Sequence, residues 1–189
     1  MAGLAPFNVA PLSRRGVQNI CVVWGGTNDI AGSGLTAAQT YTQLTNFCAA
    51  IRSLGWRVIV CTGISRAGSN INGTNDAIMT QYNALIIAGG TSIADGIANL
   101  AGNSQLAPNG SNFSNLSVYA ADGTHLLAAS QQNLVAPIIS AAANAITTSA
   151  TVPQVKTIYG GVIGSAGSVA GSPIAIAAGD LVVVAVRWF

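Results

Sequence analysis

One histidine occurs in the chain, His125, three residues after an aspartate in the run Asp122-Gly123-Thr124-His125. If an imidazole base works in this protein, it is this one. A turn can bring a carboxylate onto an imidazole three positions later. The acid then fixes the tautomer and stabilises the imidazolium, leaving the other ring nitrogen to take a proton. Acids are scarce: Asp29, Asp76, Asp95, Asp122 and Asp180, with no glutamate. The same four residues also read as a helix start, with Asp122 or Thr124 as the cap and His125 merely exposed.

A second candidate lies in CVVWGGTNDI, residues 21–30. Val17, Ile20, Cys21, Val22, Val23 and Trp24 make a short, nearly continuous apolar run, the pattern of a strand covered on both faces. Gly25 and Gly26 let the chain turn sharply and let another group approach the backbone. In open α/β sheets, ligands sit beyond the carboxyl ends of strands. Asn28 and Asp29 stand at that place. Glycine, asparagine and aspartate are also the usual residues of an ordinary turn.

The elements that must position these residues alternate. After a Gly/Ser loop, Thr36 serves as an N-cap. Ala37, Tyr41, Leu44, Cys48 and Ile51 recur at helical spacing, and Gly55 suits the stop. RVIVCT, residues 57–62, is a second buried strand. A helix over about residues 76–88 carries Ile78, Tyr82, Leu85 and Ile86. TSIADGIANLAGN reads as a short strand and a turn, and VYAADGTH as a brief strand running into a turn. Residues 126–146 read as an alanine-rich helix with Leu127, Leu134, Ile138, Ala141 and Ala145 on one side, kinked at Pro137. Strand–helix alternation predicts a parallel α/β sheet.

Composition narrows the class. Of 189 residues, half are hydrophobic and 6% charged, with a formal net charge of +2, so a sizeable core is available. The arginines are scattered apart from Arg14-Arg15, which excludes a nucleic-acid-binding patch. No apolar run is long enough to span a bilayer. The first sixteen residues lack the layout of a signal peptide, and the compartment stays open. Cys21, Cys48 and Cys61 have no metal-like spacing and read as three buried free thiols. No ligand set for a metal or an organic cofactor is evident.

From Thr147 the texture changes. The reading is a domain over 1–147, a linker over 148–153, and an incomplete β-sandwich-type module over 154–189, with residues 181–186 its densest strand.

The two blocks together resemble the SGNH hydrolases, also called GDSL-type esterases. Their signatures Gly-x-Asn-Asp and Asp-x-x-His are matched by Gly26, Asn28 and Asp29 and by Asp122 and His125. The similarity covers roughly residues 9–147 and includes the Tyr82-Asn83 pair on a helix. It implies a flavodoxin-like three-layer α/β/α sandwich and an esterase acting on acyl esters, O-acetylated carbohydrate among them. Asn28 would donate to the oxyanion through its side-chain amide. His125 would be the general base and Asp122 its partner, with Gly26 and Asp29 supporting the turn. A small-molecule or carbohydrate ester would be the partner, with no cofactor, no nucleic acid and no membrane span.

The family's Gly-Asp-Ser block, which carries the nucleophile, has no counterpart here. The resemblance therefore implies a chain that starts after the first strand-helix-strand section, with an exposed strand edge where that section would dock. Ser13 lacks a preceding strand. Ser65 in GISRAG faintly matches the Gly-x-Ser-x-Gly elbow of α/β-hydrolases, but its fifth position is Ala67 and no helix follows at once. Cys21 and Cys61 sit mid-strand. A hydrolase-derived module that binds carbohydrate, or serves in a phage or cell-surface particle without catalysis, is the reading from another class.

Overall fold

The computed structural model describes residues 18–67, 73–147 and 182–187. Two strands form its centre, β1 (Asn19–Trp24) and β2 (Arg57–Cys61). Their continuous apolar runs serve two cores at once. Cys21, Val23, Val58 and Val60 point to one face, with Leu44, Cys48, Ile51, Met79, Tyr82 and Ile86. Ile20, Val22, Ile59 and Cys61 point to the other, with Val135 and Ala143. Burial on both faces is why these strands show no polar alternation.

The sheet has four strands in the order β3-β2-β1-β4, where β3 is Gly96–Ala98 and β4 is Val182–Arg187. Every pairing is parallel, with Cys21 opposite Val58 and Cys61 opposite Ala98. The expected parallel α/β arrangement of residues 19–24 and 57–62 is present.

On the first face lie α2 (Ala37–Ser53) and α3 (Thr74–Gly89). Helix α2 starts at the expected cap. The Thr36 hydroxyl accepts from the Gln39 N–H at 3.3 Å while the Gln39 side chain accepts from the Thr36 N–H at 3.0 Å, a reciprocal capping box. Gly55 follows its end at φ 81°.

The opposite face is covered by a broken helix: α4 (Ala128–Ser130), a π turn at Gln131–Val135, and α5 (Ala136–Thr147). Pro137 has no N–H, and its ring excludes the carbonyl four residues back, so the ladder widens just before it. The wide turn also shifts the phase of the apolar stripe. Val135, Ile138, Ile139, Ala142, Ala143 and Ile146 face the sheet, whereas Ala141, Ala145 and Leu127, expected on the inner side, are exposed.

Two further expectations change. The brief strand read in VYAADGTH is not in the sheet. Tyr119 makes one antiparallel bridge to Leu126, and the turn between them closes on itself. Residues 182–187, read as part of a separate β module, form β4 and pair with β1 from Asn19–Val182 to Trp24–Arg187. The β1 edge that was expected to lie bare is therefore paired. The 148–153 linker, residues 154–181, Ser13, Val17 and Asp180 lie outside the described residues.

Burial pushes the three free thiols up: Cys21 to about 11, and Cys48 and Cys61 to about 12. No helix among the described residues is long and apolar enough to cross a membrane.

Candidate active site

The turn over residues 120–125 is built by its own backbone and one acid. Ala120 N–H donates to the His125 carbonyl at 2.7 Å, and Gly123 N–H donates to the Ala120 carbonyl at 2.9 Å. Asp122 Oδ1 accepts from the N–H groups of Thr124 and His125 at 2.8 and 2.9 Å, and Oδ2 lies 2.5 Å from His125 Nδ1. The His125 N–H first, then its imidazole, then the Thr124 N–H hold the Asp122 carboxyl far below the usual carboxylate range. With Nδ1 committed to the acid, proton exchange with a substrate falls to Nε2. The imidazole side chain is 44% exposed, which keeps it within reach of one.

Gly123 docks this turn onto the loop that follows β2. It sits at φ 60°, and its carbonyl accepts from the Ala67 N–H at 2.9 Å. A Cβ added there would stand 2.7 Å from Ala67 Cβ, so both the backbone angle and the approach require glycine.

The block after β1 forms a short helix, α1 (Thr27–Ala31). Gly26 precedes it at φ 100°, and a Cβ there would meet the Tyr82 ring at 2.8 Å. Tyr82 in turn donates to the Gly25 carbonyl at 3.4 Å. Its neighbour Asn83 clasps Gly63 with two bonds, accepting from N–H at 2.7 Å and donating to C=O at 2.8 Å. The Tyr82-Asn83 pair thus shapes both strand-end turns. Asn28 is half-buried, while Asp29 is buried with its carbonyl accepting from Leu35 N–H at 2.9 Å, which ties it into the turn.

Asn28 meets the acid–imidazole turn through a residue that the sequence reading did not single out. Arg66 donates from Nη1 to Asn28 Oδ1. Burial draws the Arg66 guanidinium down, and the negative charge of nearby Asp122 opposes that. Asn28, Arg66, Asp122 and His125 therefore gather beyond the carboxyl ends of β1 and β2, where a parallel sheet holds its ligands. Asp122 and His125 are in direct contact, and Asn28 is linked to their turn through the Arg66–Ala67 segment. The available signal was scarcity: Arg66 is one of seven basic residues in the chain, and it follows a buried strand.

The other groups have structural partners. Ser65 is wholly buried. Its hydroxyl donates to Asp76 Oδ2 at 2.6 Å and accepts from Phe113 N–H at 3.3 Å, so it is not presented as an elbow nucleophile. Cys21 and Cys61 are buried thiols with raised pKa values, unsuited to attack. Asp95 lies at the opposite edge, accepting from Val58 N–H and Arg57 Nη1, both at 2.8 Å. Among the described residues no cluster of three or more metal-ligating side chains occurs.

Fold and site define an α/β domain with a parallel sheet and an aspartate–histidine pair at its carboxyl edge. No family model, curated protein or solved structure matches the chain.

Proposed function

We propose that the chain carries the acid–base and oxyanion part of an acyl-ester hydrolase site of the SGNH type, on a flavodoxin-like three-layer sandwich. The observation that carries this reading is the Asp122 Oδ2–His125 Nδ1 contact of 2.5 Å, on a turn bonded to the loop whose Arg66 holds Asn28. In that scheme His125 Nε2 takes the proton of an attacking hydroxyl, and Asp122 stabilises the imidazolium. The Asn28 amide nitrogen donates to the oxygen that becomes negative, a contribution typically of about 10²–10³ in turnover. Gly26 and Asp29 hold the turn that carries Asn28. The substrate class is an acyl ester, O-acetylated carbohydrate among the candidates.

The scheme requires a serine nucleophile, and no Gly-Asp-Ser occurs in the 189 residues. The test is p-nitrophenyl acetate hydrolysis by the chain alone and by the chain extended with a Gly-Asp-Ser strand segment. Turnover near background for the first, restored in the second and lost on His125→Ala, is the expected outcome. Robust turnover by the short chain that disappears on Ser65→Ala or Ser13→Ala would place the nucleophile elsewhere and sink the proposal.

One observation favours a second reading, a non-catalytic carbohydrate-binding or particle module. Strand β4 already pairs along β1, at an edge that an added strand would need. Oligosaccharide binding by the 189-residue chain, with no hydrolysis by the extended one, would select it.

A further inference from the structure

Asn28 stands on α1 and the Asp122–His125 pair on a separate turn, and the Arg66–Ala67 segment joins them. Arg66 is anchored through its own backbone, whose N–H donates to Asp76 Oδ1 at 3.2 Å. The next residue, Ala67, is bonded to Gly123 of the histidine turn at 2.9 Å. From that base Nη1 reaches Asn28 Oδ1. The amide is planar, so engaging its oxygen turns the two Nδ2 donors away from the guanidinium. An asparagine amide without such a bond has a broad, roughly two-fold χ2 preference, and the oxygen could then face the place where the nitrogen is needed.

We propose that Arg66 is a positioning residue that fixes the orientation of the Asn28 amide. This rests on the reading of Asn28 as the oxyanion donor. Arginine suits the task because its planar fork and permanent charge hold one geometry, whereas lysine offers a mobile point charge.

The test is the side-chain amide spectrum of the ¹⁵N-labelled 189-residue chain, with the Asn28 pair assigned by its loss in Asn28→Ser. In Arg66→Met the Asn28 pair should shift, because the amide oxygen loses a charged hydrogen-bond donor and the amide plane is no longer fixed. Arg66→Lys should recover part of that change. The Asn83 pair, which clasps Gly63 in the same loop, is the internal control and should stay in place. An unmoved Asn28 pair would overturn the proposal. So would equal movement of the Asn83 pair, which would mean that the whole loop had lost its shape. An Asn28 response combined with no ester turnover by the extended chain would leave the role of Arg66 standing and overturn the hydrolase reading instead.

Discussion

Asp76 and Asp122 hold the same chemical group in opposite ways. Asp76 is 2% exposed, and its donors come from far along the chain. The Ser65 hydroxyl, Arg66 N–H and Gly110 N–H, the last at 2.8 Å, all converge on it. The Asp122 side chain is 50% exposed, and it bonds Thr124 and His125, within three residues. The buried acid ties the loop after β2, the start of α3 and the 103–115 loop into one body. The exposed acid shapes a single turn and leaves an imidazole facing solvent. In a chain with five acids, one is used for cohesion and another stands where a reaction could use it.

The comparison is tested most severely by removing the buried acid. Asp76→Ala orphans two backbone donors and a hydroxyl in the interior, which should cost about 3 kcal/mol or more. The urea midpoint reports it, and a loss under ~1 kcal/mol would remove Asp76 from its place as a cross-link.

Ser65→Ala should cost less, about 1–2 kcal/mol, because the Phe113 N–H loses its acceptor while Asp76 keeps two backbone donors. Turnover by the extended chain should match that of the unsubstituted extended chain. A large drop in rate with little change in stability would return Ser65 to the reaction.

Asp122→Ala reverses the pattern. It should cost about 1 kcal/mol or less in stability, as expected for the loss of an exposed cap. Turnover by the extended chain should fall by about 10²–10⁴. Matched losses of stability and rate would mean that the turn is structural only.

The smallest effect is in the acid limb. The folded Asp122 carboxyl is held below its unfolded value of about 3.9, so its contribution is present above that value and is lost as pH falls through the folded one. The stability difference between the unsubstituted chain and Asp122→Asn should begin to shrink below about pH 4. A difference that grows on acidification would contradict the assigned partners.

What could be read in advance follows the range of the interactions. Thr36 as a cap, Gly55 as a stop, the buried runs of β1 and β2 and the contact between Asp122 and His125 all depend on neighbours within a few residues. Pro137 was legible as a break, but not the extra residue of the π turn, so the stripe beyond it was read one position out of phase at Ala141 and Ala145. Arg66 was missed because its importance lies in reaching Asn28, 38 residues earlier in the chain.

The sequence by itself determined the parallel α/β alternation, because a strand buried on both faces must be apolar throughout and a helix on one face must be striped. It also offered the aspartate–histidine contact, alongside a plain helix start, because the geometry of that turn is local. Only the tertiary structure decided that residues 182–187 pair with β1, because a short valine-rich run has no mark that names its neighbour. Only there, too, do Asp76 and Arg66 acquire their roles. A buried carboxyl and a guanidinium take on meaning from the donors and acceptors that packing brings to them, and those lie tens of residues away.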